Sequence, residues 1–157
     1  MNGMIALPPE PASPAGAAVA GDGFWPAIDL NDLRDAHRIG TIVTNDRLKS
    51  AVTTAMFALS IDLAIWRVRQ EEQEFLTLAT VPAVQMGGVS RLVHNWQHAV
   101  AMHVMADLAE THRDIGATDA GAARSGEMAL TSVDYRRACT HAVRDILGET
   151  RTSVELI

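Results

Sequence analysis

Lysine is almost missing from this 157-residue chain: Lys49 is the only one, and every other basic residue is an arginine. The net charge is −6, with no basic run. Wrapping DNA phosphates needs clustered positive charge, so a DNA-coating role is excluded. Cysteine is equally scarce. A single Cys139 rules out an internal disulfide and a cysteine-rich zinc site. Three Trp, three Phe and one Tyr leave the core to be built from aliphatic side chains, with alanine and methionine as filling. Long apolar runs are missing too. The best stretch lies between Lys49 and Arg67 and is broken by Asp62, whereas a membrane span needs about 20 largely apolar residues. The first residues lack the basic start of a secretory peptide, and Pro8, Pro9, Pro11 and Pro14 would break its apolar core. These features predict a soluble protein made in a reducing cytoplasm, with no membrane partner.

What is present is helical periodicity. The segment Asn45–Glu74 is the longest without proline or glycine, and Asn45-Asp46 at its front can accept from unpaired first-turn amides. Leu48, Val52, Ala55, Leu59, Leu63 and Trp66 fall on one face at spacings of three and four. Phe57, Ile61, Ala64, Ile65 and Val68 make a second apolar face, so the helix is expected to be buried on two sides. The second face meets either another helix of the chain or a neighbouring subunit. Arg67 and Glu71 near its end are in i,i+4 relation.

Residues 1–23 hold four of the six prolines and four of the eleven glycines. That composition predicts a disordered arm, either dispensable or ordered by a partner. Order is expected from Phe24-Trp25-Pro26, an extended dipeptide before proline. Its aromatics either plug the core or dock on a neighbouring subunit. Asp29 is positioned as the N-cap of a short helix to about Ile39, stopped by Gly40. Pro82 and Gly87-Gly88 mark a loop from about Leu76 to Val89, and Ser90 caps a second long helix to Ile115. A weak helix is expected over about 118–128. A last helix starts at a Thr131/Asp134 capping box and ends at Gly148. In residues 151–157, Val154 and Leu156 alternate with polar neighbours, as in a short extended C-terminal tail. The expected organisation is therefore an all-α bundle with two long helices over 24–150, between an arm and a tail.

Chemistry is thinly supported. His94 and His98 have i,i+4 spacing suited to one metal ion, but Asn95 stands where the metalloprotease motif has its general base. His103 lies about half a turn round the helix from His94. Cys139 sits on the apolar face of the last helix, the place of a buried thiol. The sequence has no nucleophile elbow and no phosphate loop. Arg136, Arg137 and Arg144 could enter a DNA groove, but Asp134, Asp145 and Glu149 share their segment. The expectation is no enzyme, no metal and no cofactor. A small helical metalloenzyme built on His94 and His98, and an arginine-helix DNA-binding regulator, are the alternatives.

From Phe24 onward the chain resembles the head completion proteins of peduovirus-type tailed phages, also called head-tail connector or capsid-stabilising proteins. The matching features run in order: Phe24-Trp25-Pro26-x-Ile28-Asp29, Arg47-Leu48-Lys49-x-Ala51, Val81-Pro82, Ala99-Val100, and Leu108-x-Glu110-x-x-Arg113. A small-residue connector follows, then Ala142-Val143-Arg144-x-Ile146, Arg151-x-x-Val154 and Ile157. The chain departs from the family pattern in carrying His94, His98 and His103 on a helix that is more aromatic in its relatives, and in its few lysines. The resemblance implies a helical adaptor without an active site. Such an adaptor binds the portal protein as a ring after packaging, dodecameric if it follows portal symmetry. It retains the DNA that passes through its channel and offers a platform to tail or neck proteins. It would be assembled in the host cytoplasm and sit at the head-tail junction of the virion. The residues expected to make subunit or portal contacts are Phe24, Trp25, Pro26, Phe57, Ile61, Ile65, Val68, Arg151, Val154, Leu156 and Ile157.

Overall fold

The computed structural model describes residues 13–115 and 131–149. Its spine is α4 (Arg91–Ile115), about 37 Å long at 1.5 Å per residue. Helix α5 (Ser132–Leu147) packs along it. The Arg136 guanidinium donates to Glu110 at 2.7 Å, so the start of α5 lies against the end of α4 and the pair is antiparallel. Helix α2 (Asn45–Asp62) lies on another side of α4. The stripe read from periodicity is the core face of α2: Leu48, Val52, Ala55, Leu59 and Leu63 are all at most 1% exposed. They pack against Trp96, Ala99, Val100 and Val104 of α4, while Cys139, Ala142 and Ile146 extend the core from α5.

The single helix expected over Asn45–Glu74 is two. Helix α2 ends at Asp62 and α3 runs Ala64–Glu71, bent by 68° at Leu63. No proline or glycine marks the bend. Leu63 takes φ −98° and ψ 5°, yet its amide still donates to the Leu59 carbonyl and its carbonyl accepts from Arg67. The bend therefore loses little backbone hydrogen bonding. Tertiary contacts set it: Trp66 stacks on Trp25 at 6.4 Å, and Arg67 pairs with Asp22 while its guanidinium lies 5.0 Å over the Phe24 ring. A straight helix would carry both side chains away from these partners.

The fold is also not purely α. Strands β1 (Ala18–Val19) and β2 (Ile28–Asp29) pair antiparallel, Val19 opposite Ile28. Strands β3 (Gln85–Met86) and β4 (Val89–Ser90) form a hairpin whose two turn residues, Gly87 and Gly88, both have positive φ. Between these pairs lies a short 3₁₀ turn, Leu78–Thr80, within the stretch read as loop.

Residues 13–23, assigned by composition to the arm, belong to the folded unit. Ser13 is fully buried and Val19 is 9% exposed. The reason is polar rather than apolar. Arg34 of α1 (Leu30–His37) is buried, and its guanidinium donates to Ser13 Oγ at 2.7 Å, to the Val43 carbonyl at 2.7 Å and to the Gly40 carbonyl at 3.1 Å. Asp22 then accepts from the Phe24 and Trp25 amides, and Gly21 passes so close to the Trp25 carbonyl that a Cβ would sit 1.7 Å from its oxygen.

The caps follow local chemistry. Asp29 accepts from the amides of Asn31 and Asp32, Ser90 from Leu92, and Thr131 and Asp134 form the reciprocal box. Gly148 closes α5 at φ 74°. Thr44, rather than the Asn45-Asp46 pair, caps α2, because its Oγ1 is the one that accepts from Arg47. Helix α1 stops at Arg38, in the left-handed conformation, before Gly40 is reached. The weak helix expected over 118–128 and the tail 151–157 lie outside the described residues, as do residues 1–12.

Candidate functional site

Of the expected contact residues, Arg151, Val154, Leu156 and Ile157 lie outside the described residues, and the rest divide into two groups. Phe24 and Trp25 are 2% and 3% exposed: the Phe24 ring meets Trp25 edge-on at 4.9 Å, and Trp25 stacks on Trp96 at 4.2 Å. Their surface is used inside the chain, so they are core residues and not contacts in this fold; Pro26 beside them is half-buried. The other group is open. Phe57, Ile61, Ile65 and Val68 are 68, 74, 72 and 51% exposed. Their spacing of four, four and three keeps them on one face from α2 across the bend into α3. Burying one such side chain stabilises by about 1.5–3 kcal/mol, and monomeric proteins seldom leave a row of them in water.

A second apolar surface was missed in the sequence. Val84, Met86 and Val89 on and beside the β3–β4 hairpin are 59, 80 and 43% exposed. They line a cleft of about 510 Å³ with Gly87, Arg91 and His94. The alternation of Val84 and Met86 with polar or small residues was a usable strand signal, but the glycine pair drew the segment into a loop.

The groups considered for chemistry do not converge. His94 and His98 have parallel rings with centroids 6.2 Å apart, and with His37 of α1 they line a cleft of about 290 Å³ that also contains Asp29 and Asp32. Among the described residues no group of three or more His, Cys, Asp or Glu is placed to hold a metal ion. The Cys139 thiol is pushed up to about 11 by burial and by Asp62, so it is protonated at neutral pH and a poor nucleophile. The arginines of α5 each face a carboxylate: Arg136 with Glu110, Arg137 with Asp134, Arg144 with Glu149. That leaves α5 little net positive charge to offer a phosphate backbone.

The histidine cleft does set a pH response. Burial, then His94 and His37, holds His98 below its ordinary 6.5, and burial does the same to His37. Because the folded-state values are depressed, the unfolded chain binds protons first, and stability falls as pH drops through about 6.5. Thermal unfolding should show a midpoint lower by a few degrees at about pH 5.5 than at about pH 7.5, and His98→Gln should flatten that dependence. Asp22 acts in a lower window. Burial alone would raise it, but the Trp25 amide and Arg67 hold it below 3.8, so its contribution is lost only as pH falls through that range.

The phage head completion protein (GPL) family model matches residues 19–157. The head completion/stabilization protein of Escherichia phage P2 is 29% identical over 134 residues, covering 85% of this chain and 79% of that protein. No solved structure matches. The family match starts inside β1 and takes in every later element, including the α2–α3 bend and its exposed face. The chain belongs to the phage head completion protein family.

Proposed function

We propose that the protein completes the phage head as a ring bound to the portal vertex after DNA packaging, where it retains the DNA and presents a platform for the tail. The observation that carries this reading is the exposed apolar face Phe57, Ile61, Ile65 and Val68. A ring closed by rotation buries a different patch on each flank of every subunit, and this face is one such patch. Its partners are neighbouring copies and the portal protein, with tail or neck proteins joining afterwards; the site of action is the head-tail junction of the virion, after assembly in the host cytoplasm. A net charge of −6 suits a channel through which DNA slides without adhering. The role is structural, with no catalytic step.

The double variant Ile61→Asp, Ile65→Asp tests it. Both side chains are more than 70% exposed, so the isolated subunit should keep its circular dichroism and change in stability by no more than about 0.5 kcal/mol per site. Two lost anchors at about 1.5 kcal/mol or more each should weaken self-assembly or portal binding about a hundredfold or more, read by light scattering with and without portal. Wild-type assembly by the folded variant would remove this face from the interface, and an unfolded subunit would make the face part of the core.

A further inference from the structure

A ring closed by rotation needs a second patch, different from the first and set on another flank of the subunit. The β3–β4 hairpin meets both conditions. Val84, Met86 and Val89 are 59, 80 and 43% exposed and wall the cleft of about 510 Å³ with Arg91 and His94 from the start of α4. No residue from Val81 to Ser90 is charged, so the hairpin lacks the charge that commonly guards an exposed sheet edge. Ile42, Leu76 and Val133 are exposed as well, but each comes singly on a separate segment, which is ordinary for a protein surface.

Helix α4 stands between the two patches. Trp96 points to its α2 side, where it lines one cleft together with Met56 and Phe57. His94 comes two residues earlier, about 200° round the helix, and Arg91 is about 140° from Trp96; both line the hairpin cleft. Burial agrees with these angles, since Trp96 is fully buried whereas Arg91 and His94 are exposed. The hairpin cleft and the row from Phe57 to Val68 therefore lie on opposite flanks of α4, as a head-to-tail contact requires. One flank offers projecting side chains and the other a cleft.

The charges agree with the shapes. Glu72 continues the row four residues past Val68, is exposed, and has no ion-pair partner among the described residues. Arg69 is turned about 100° away from Val68, and Arg67 is paired with Asp22 and Glu71. Arg91 at the hairpin cleft is likewise exposed and without a carboxylate partner among the described residues. One patch ends in an unpaired anion and the other in an unpaired cation, an arrangement that fixes register across a contact. We propose that the hairpin cleft receives the Phe57, Ile61, Ile65 and Val68 row of the next copy in the ring, with Arg91 facing Glu72 across the contact. The inference rests on the ring reading above and adds which two surfaces meet.

Cysteine cross-linking of the full-length protein, alone and with portal, tests the pairing, with assembly followed separately by light scattering. Cys139 is buried and protonated at neutral pH, so introduced thiols react ahead of it. Ile61 and Met86 are both more than 70% exposed, so cysteine at either position leaves the core intact. With a short bis-maleimide, the double variant Ile61→Cys, Met86→Cys should give a ladder of covalent oligomers. Each single variant should give no linked product, and an equal mixture of the two singles should stop at dimers. Arg91→Glu should weaken assembly about fivefold, and adding Glu72→Arg should restore it. Dimers from either single variant would make the contact isologous and overturn the proposal. Assembly without a ladder would overturn it too, because the hairpin would then face another partner. A wild-type protein that stays monomeric with and without portal would instead remove the ring reading, and this pairing with it.

Discussion

Trp96→Ala should cost about 3–5 kcal/mol of folding stability, lowering the thermal midpoint by roughly 10 °C in a chain of this length. Trp96 is fully buried, and more than its own volume depends on it. Trp25 stacks directly on its ring at 4.2 Å with an interplanar angle of 12°, and Trp66 of α3 stacks on Trp25 at 6.4 Å. Phe24 meets both Trp25 and Trp66 edge-on. Removing Trp96 therefore leaves a cavity at the base of a column that holds both the N-terminal segment and the bend after α2. Urea denaturation should show the lower midpoint. Trp96→Phe, which keeps a stacking face and part of the volume, should recover more than half of the loss. Trp66→Ala should cost less than Trp96→Ala, because Trp66 is only partly buried.

That column also explains which parts of the fold were legible in sequence. Periodicity placed Leu48, Val52, Leu59 and Leu63 on a core face, and cap chemistry placed Asp29 and the Thr131/Asp134 box, because these signals are local. The bend at Leu63 was not legible: its cause is Trp66 and Arg67 reaching Trp25, Phe24 and Asp22, more than 40 residues away. Composition likewise failed at residues 13–23. The rule weighs apolar area, whereas this segment is held by strand pairing at Ala18–Val19 and by one buried guanidinium. The candidate site was half legible. Phe57, Ile61, Ile65 and Val68 could be read as a second face because a helix of any sequence has only so much surface to bury. Phe24 and Trp25 were grouped with them because an aromatic pair before a proline looks alike whether its partner is another subunit or the tryptophan at position 96. The histidine cleft brings Asp29, Asp32 and His37 beside His94 and His98, residues far apart in sequence, and no spacing within one segment reports that.

Arg34→Met should be the other severe substitution, at about 2–4 kcal/mol, and its effect should be concentrated where the chain leaves the helical bundle. Arg34 is only 6% exposed. Its Nε donates to Ser13, one terminal nitrogen to the Gly40 and Ile39 carbonyls, and the other to Val43. Burial lowers its pKa, but a guanidinium remains charged at neutral pH. These are therefore charge-assisted bonds in a fixed fork. Methionine relieves the cost of burying the charge and fills similar volume, yet it strands a buried serine hydroxyl and several carbonyls at once. Arg34→Lys should rescue little, since one ammonium cannot span three directions. Ser13→Ala alone should cost about 1 kcal/mol. In a double-mutant cycle it should add almost nothing once Arg34 is Met, because the contact it removes is already gone. Hydrogen exchange should rise first in β1 and in the loop from Ile39 to Val43.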